Sequence, residues 1–181
     1  MADVIVDPER LSPLEHAQLV TRELDYLGLL RPPHSGEFIL VGKAGLWAAG
    51  LLRTTPTLDL LVTDDAMFAL VGQLGKTPTG IYPSGHELEL GHDEWSHRRL
   101  ATGRLGAHGL FITTTLDNAG RPLEFERASG HQVDFAGLPT LDPELTARVM
   151  LSSIDNATVQ IGHDALVALA SRRTTPVGRV G

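Results

Sequence analysis

The chain has 181 residues and a formal net charge of −7, with 15 lysine and arginine residues against 22 aspartate and glutamate residues. Hydrophobic residues make up 42% of it and charged residues 20%, a composition typical of a globular protein that can bury a core. The negative charge argues against an extended nucleic-acid surface, and the absence of cysteine excludes disulfides and thiolate metal sites.

The chain is predicted to form one domain over residues 1–181, because it contains neither an internal repeat nor a linker-like segment. It has no apolar run of about 18 residues, the length that a membrane-spanning helix requires. The N-terminus also lacks the basic start and long apolar run of a secretory signal. We therefore expect a soluble, cytoplasmic protein with no membrane partner.

The first third of the chain alternates helix and strand signals. A helix is predicted over about 12–28, where Ser12 can act as N-cap, Pro13 suits the first turn and Glu15 can complete a capping box. Two apolar segments follow, with a short helical segment between them. The predicted strand, helix and strand cover residues 37–42, 43–51 and 57–63.

The elements after residue 63 are less regular. Asp64 or Asp65 is predicted to cap a helix that runs to Leu74. Glycine, histidine and charged residues alternate over 76–109, where we expect loops and one short strand. The remaining predictions are a strand at 109–116, a hairpin at 121–137, a helix beginning at Asp142-Pro143, a last strand at 157–162 and a last helix at 163–173. This order predicts an α/β or α+β fold, a mixed sheet covered by helices.

Asp59 lies inside the apolar strand predicted over 57–63, where an ionised carboxylate is costly unless it is paired. Asp134 lies between two apolar neighbours in a second predicted strand. If the two acids met across a sheet, their oxygens could hold a divalent cation such as Mg²⁺. Alternatively, Arg53, a threonine hydroxyl or a backbone N–H satisfies Asp59, and Asp134 is a surface residue of the hairpin. Both interpretations stay open.

The segment ILVGKAGLWAAGLLRTTPTLDLLV resembles the opening of the nucleotidyltransferase fold, the superfamily of DNA polymerase beta, antibiotic nucleotidyltransferases and small toxin–antitoxin transferases. Members have an apolar strand ending in Gly-Gly or Gly-Ser, a short helix, an Arg-x-Thr-x-Asp-x-Asp strand and a third aspartate on a later strand. In this chain Gly42 ends the first strand, and Arg53 and Thr55 begin the motif. Asp59 and Asp134 take the second and third acidic positions.

The resemblance covers most of residues 37–173 and implies an activity. That activity is Mg²⁺-dependent transfer of a nucleotidyl group from a nucleoside triphosphate. The implied catalytic and metal-binding residues are Asp59 and Asp134, and the implied nucleotide-binding residues are Gly42, Lys43, Arg53 and Thr55.

Two departures from the family pattern favour a second hypothesis. Thr57 stands at the first catalytic aspartate, and Lys43 stands where the family has a second small residue. Losing one carboxylate weakens a two-metal clamp on the attacking and leaving oxygens, unless Glu87, Glu89 or Glu124 replaces it. The alternative is therefore a pseudoenzyme, a module of toxin–antitoxin type that binds a nucleotide or a protein partner without turnover.

The segment HELELGHDEWSH holds three histidines among four acids: His86, His92 and His97. It is not the His-Glu-x-x-His pattern of a helical zinc site. The sequence therefore leaves a metal site and a solvated loop as alternatives there.

Overall fold

The computed structural model describes residues 10–74, 87–93, 98–105 and 108–174. The helices in these ranges are α1 (Pro13–Tyr26), α2 (Gly42–Ala48), α3 (Asp64–Leu74), α4 (Phe125–Ser129), α5 (Pro143–Met150) and α6 (Asn156–Thr174). The strands are β1 (Phe38–Leu40), β2 (Thr57–Val62), β3 (Glu87–Asp93), β4 (Arg98–Leu105), β5 (His108–Thr113), β6 (Thr115–Asn118), β7 (Arg121–Glu124), β8 (Gln132–Phe135) and β9 (Leu138–Leu141). None of the helices in these ranges is both long and apolar enough to cross a bilayer.

Seven of these strands form one mixed sheet in the order β3-β4-β5-β2-β1-β9-β8, and β6 and β7 form a separate two-stranded ribbon. The predicted neighbours 37–42 and 57–63 are paired: β1 runs antiparallel to β2, with Ile39 opposite Leu61. Strand β2 is parallel to β5, and β1 is parallel to β9. The expectation of a mixed sheet covered by helices is confirmed.

The two faces of the sheet bury different partners because side chains alternate along a strand. Leu58 and Leu60 belong to a core that includes residues of α1 and α3. Ile39 and Leu61, on the opposite face, pack with the β6–β7 ribbon, α4 and α5. Asp59 shares this second face, as the alternation in the sequence predicts.

Three helix starts show which local signals decide the caps. Ser12 and Glu15 form the expected capping box, with the Glu15 N–H donating to Ser12 Oγ at 3.3 Å. Asp142 caps α5 by accepting the Leu145 N–H at 3.0 Å. The prediction for α3 was wrong, because Thr63 Oγ1, not Asp64 or Asp65, accepts the N–H of residue 66 at 3.1 Å.

The predicted hairpin at 121–137 is also wrong. Its two strands belong to different sheets, since β7 pairs with β6 and β8 pairs with β9. Helix α4 separates them. A turn containing Ala119, with φ +52°, and Gly120, with φ +78°, connects β6 to β7 instead.

Three further expectations need correction. The last strand, predicted at 157–162, is the first part of α6, which begins where Asp155 Oδ2 accepts the Thr158 N–H at 3.1 Å. The single short strand expected over 76–109 is instead the antiparallel pair β3 and β4, with β5 beginning at His108. The strand predicted at 109–116 is divided, because β5 ends at Thr113 and β6 begins at Thr115.

A buried polar cluster joins α1 to β5 beneath this sheet. His108 Nδ1 lies 2.5 Å from Glu23 Oε2, and His108 Nε2 lies 3.3 Å from His16 Nε2. The N–H of Thr55 points to the same His16 nitrogen at 3.5 Å. The Glu23 carboxyl group and the two imidazoles thus lie within hydrogen-bond distance of one another in a buried setting, where an unpaired charge would be costly.

Candidate functional site

A pocket of about 390 Å³ opens where β1 passes into α2. Its floor is apolar and includes Phe111 and Leu116, while Lys43 and two aspartates bring charge to it. Further lining residues come from the last third of the chain, from α5 and the residues that lead into α6. The lining residues are Val41, Gly42, Lys43, Thr57, Asp59, Phe111, Leu116, Asp117, Val149, Met150, Ser152, Ser153 and Thr158.

Asp59 is held by the beginning of α2. The Val41 N–H donates to the Asp59 carbonyl at 3.0 Å, which sets the helix start beside the Asp59 side chain. Asp59 Oδ2 accepts the Ala44 N–H at 3.3 Å and the Thr57 hydroxyl at 2.9 Å. The residue that precedes α2, Val41, has no side chain able to cap it. Asp59 therefore caps this helix from the neighbouring strand.

Gly42 permits this close approach. Its φ of +53° is a left-handed conformation that L side chains rarely adopt. A β-carbon added there would lie 3.1 Å from Asp59 Oδ2, tighter than ordinary van der Waals contact. The glycine that the resemblance places against a nucleotide thus lies against the carboxylate of its own chain.

The electrostatics of Asp59 follow from these contacts. Burial raises the pKa of its carboxyl group above the ordinary value. The Thr57 hydroxyl, the backbone N–H groups of Lys43 and Ala44 and the charge of Lys43 oppose that rise. The donors around Asp59 stabilise its ionised form, but less than burial disfavours it.

Asp134 is not brought next to Asp59. Strand β8 is separated from β2 by β1 and β9, which corresponds to roughly 14 Å across three strand spacings. Asp134 is exposed, and its Oδ1 accepts the Gly137 N–H at 2.8 Å in the β8–β9 turn. The residue opposite Asp59 on its other neighbour, β5, is Phe111. The structure thus gives no geometric support to a site that combines Asp59 with Asp134.

Arg53 and Thr55 also lie outside the pocket. Arg53 is exposed, whereas Thr55 is fully buried and donates its N–H toward His16. Of the residues implied by the resemblance, the structure brings three together: Gly42, Lys43 and Asp59.

The acids considered as substitutes for Thr57 are placed elsewhere. Glu87 and Glu89 belong to β3, which β4 and β5 separate from β2. Glu124 is exposed and lines a different cleft. Of the three histidines in HELELGHDEWSH, His86 and His97 lie outside the described residues, and His92 lies in β3.

The donor set of this pocket does not fit a two-metal centre. Asp117 is its second carboxylate, but Asp117 Oδ1 accepts the Gly120 N–H at 2.7 Å. Over residues 10–74, 87–93, 98–105 and 108–174, there is no cluster of three or more acidic or histidine side chains able to hold a metal. A divalent ion at Asp59 would have to compete with the donors from Thr57 and Ala44.

The sequence did not reveal the distant half of the pocket. Ser152 and Ser153 each accept a backbone N–H, from Ala119 at 3.0 Å and from Asp155 at 3.1 Å. Each hydroxyl proton is then available to a ligand, since a hydroxyl both accepts and donates. The adjacent serines after α5 were a signal for polar groups, but their place in the same pocket as Lys43 depends on long-range packing.

The comparisons with known proteins support the fold. No protein-family model matches the sequence, and no curated protein matches it either. A solved structure from Thermotoga maritima, named a "putative nucleotidyltransferase" (TM1012), is similar over 90% of this chain and 94% of its own, with a TM-score of 0.53 and 9% sequence identity. At that identity the likeness establishes a nucleotidyltransferase-like fold and leaves the chemistry to be argued from the pocket.

Proposed function

We propose that this protein is a catalytically degenerate member of the nucleotidyltransferase fold that binds a nucleotide in the pocket between Lys43 and Ser152-Ser153. One observation carries the proposal: Asp59 caps α2, with Thr57 and Phe111 at the adjoining positions where further metal ligands would be needed. The same pocket keeps a cation, hydroxyl donors and an apolar floor.

Each group has a role that matches its chemistry. Lys43 supplies a positive charge for a phosphate, and the serine hydroxyls supply donors for phosphate or ribose oxygens. Phe111 and Leu116 offer an apolar surface for a base. The pocket volume falls within the roughly 300–1,000 Å³ typical of small-molecule sites. The expectations of a magnesium ion, a protein partner and a toxin–antitoxin role stay predictions.

Calorimetry with ATP and GTP, each in EDTA and in millimolar Mg²⁺, tests the proposal. We expect binding that does not require the metal and that Lys43→Ala weakens about tenfold, or about 1.4 kcal/mol. The melting temperature should change little, because Lys43 is a partly exposed residue at a helix start. Arg53→Ala is the matched control, since it removes an exposed cation outside the pocket.

A second assay separates binding from turnover. The protein is incubated with a nucleoside triphosphate labelled at the α-phosphate, and protein, RNA and small-molecule acceptors are checked for label. The proposal expects no transfer above background with Mg²⁺ or Mn²⁺. Transfer of label that depends on Asp59 would contradict it, as would the absence of any nucleotide binding.

A further inference from the structure

A second cleft, of about 400 Å³, lies between the β6–β7 ribbon, α4 and α5. Three arginines from three different elements line it: Arg121 of β7, Arg127 of α4 and Arg148 of α5. We call it the arginine cleft. Its position is fixed by the packing of Leu123 and Ala128 into the core on the face of the sheet opposite to α1.

The two carboxylates that line the arginine cleft already have partners. Asp142 caps α5 through the Leu145 N–H. Glu144 accepts a 2.6 Å bond on each of its oxygens, one from Arg148 and one from Arg173. These two arginines hold the pKa of Glu144 below its ordinary value, so it stays ionised beside them.

The remaining cations are in excess. Among the lining residues, three arginines stand against two carboxylates, which leaves a net charge of +1 on a chain whose total is −7. Across the described ranges, no ion pair is formed by either Arg121 or Arg127, and both side chains are exposed. Such a concentration of unpaired cations around a concave surface attracts anions.

We propose that the arginine cleft binds the phosphate group of a small phosphate ester. Guanidinium groups present forked N–H pairs that match phosphate oxygens, and the excess positive charge favours an anionic group. The volume of the cleft falls within the roughly 300–1,000 Å³ typical of small-molecule sites. This site is separate from the nucleotide pocket: the two share no lining residue.

Calorimetry of the full chain with glycerol 3-phosphate at low ionic strength tests this proposal, with glycerol as the uncharged control. We expect millimolar or tighter binding of the ester and none of glycerol. The double substitution Arg121→Gln and Arg127→Gln should weaken binding at least tenfold, about 1.4 kcal/mol. Arg22→Gln, at an exposed arginine of α1, should leave it unchanged. Circular dichroism confirms that each variant is folded.

Three results would overturn the proposal. The first is the absence of a binding heat when the parent protein is titrated with the ester up to about 10 mM, a concentration above the millimolar dissociation constant that we expect. The second is equal binding by the parent and the double variant. The third is a loss of ester binding in Lys43→Ala with none in the double variant, which would assign the ester to the nucleotide pocket. A short RNA that binds far more tightly than the ester, and loses affinity in the double variant, would replace the small ligand with nucleic acid.

Discussion

Gly42 and Asp59 are in contact across the junction of β1 and β2: a methyl group on Gly42 would approach Asp59 Oδ2 to 3.1 Å. The glycine conformation and the carboxylate position therefore depend on each other. The start of α2, where the resemblance implies nucleotide binding through Gly42 and Lys43, is capped here by an internal acid.

Gly42→Ala should destabilise the protein more than Gly50→Ala. Both glycines have positive φ, +53° and +72°, but a β-carbon at Gly50 would meet nothing within 4 Å. Gly50→Ala should cost about 1–2 kcal/mol from backbone conformation alone. Gly42→Ala should cost about 1 kcal/mol more, because Asp59 must move. Urea unfolding measures both losses of stability. Equal losses would show that Asp59 can move away from the added methyl group at little cost.

Asp59→Asn should change how stability depends on pH. Since the folded-state pKa of Asp59 is raised above 3.8, its contribution to stability is full below about pH 3.8 and decreases as pH rises through the raised value. The variant has no proton to lose there. Its free energy of unfolding should therefore rise relative to that of the parent between about pH 4 and 7, by about 1.4 kcal/mol for each pH unit that separates the two pKa values.

Urea unfolding of the parent and Asp59→Asn at several pH values measures this difference. Thr57→Val removes a hydroxyl donor that lowers the pKa of Asp59, so it should raise that pKa further and enlarge the total loss in a chain that keeps the acid. A constant difference between parent and Asp59→Asn from pH 4 to 7 would contradict the raised pKa.

Thr57→Asp should create a response to metal that the parent lacks. The new carboxylate would lie two residues before Asp59 on the same face of β2, where two acids can share one cation. Without metal, the like charges should lower the melting temperature. Millimolar Mn²⁺ should restore about 1–3 kcal/mol of stability in this variant and leave the parent unchanged. Thermal melts in EDTA and in Mn²⁺ make the comparison, and stabilisation of the parent by Mn²⁺ would show that Asp59 already binds it.

Gly162→Ala should loosen the crossing of α5 and α6. Its β-carbon would lie 2.8 Å from the Ala147 carbonyl oxygen and 3.0 Å from Met150 Cβ, so the helices must move apart. We expect a loss of about 1–3 kcal/mol. Gly72→Ala in α3 is the matched control: it meets nothing within 4 Å and should stabilise by about 0.5–1 kcal/mol. Chemical denaturation measures the change in the free energy of unfolding for each variant. If both substitutions change it in the same direction, the close packing at Gly162 is refuted.

His108→Ala should be among the most damaging single changes. It leaves the Glu23 carboxyl buried without the imidazole that lies within hydrogen-bond distance of it. Breaking a buried pair of this kind costs about 3–5 kcal/mol. Replacing both Glu23 and His108 with leucine should recover part of the loss. If the single variant melts within a few degrees of the parent, the carboxyl group must have another route to solvent.

Local signals in the sequence were sufficient for the elements around the pocket but not for their partners. The β1–α2–β2 unit follows from apolar runs and Gly42, because those signals and the contacts they produce lie close together in the chain. The hairpin predicted at 121–137 was wrong because its two strands do not pair with each other: β7 pairs with the preceding strand β6, and β8 pairs with the following strand β9. The prediction of a strand at 157–162 relied on the β-branched residues Val159 and Ile161. It was wrong because Asp155 caps a helix there.

The same limit applied to the pocket. The contact of Asp59 with its threonine neighbour two residues away was among the open readings of the sequence. That Phe111, rather than an acid, lies opposite Asp59 depends on the register of β2 and β5 across some fifty residues of chain. Asp134 matched the family pattern in sequence, yet the order of the strands places it at an edge of the sheet.

The pocket is built from residues far apart in the sequence, and this separation determines the stage of folding at which it forms. Lys43 and Asp59 emerge early during synthesis, but Ser152, Ser153 and Thr158 follow about one hundred residues later. Contacts so far apart in the chain form late in folding, because the loop between them must first be closed. A nascent chain therefore exposes the floor at Phe111 and Leu116 before the wall that covers it has been made. The pocket is complete only in the finished fold.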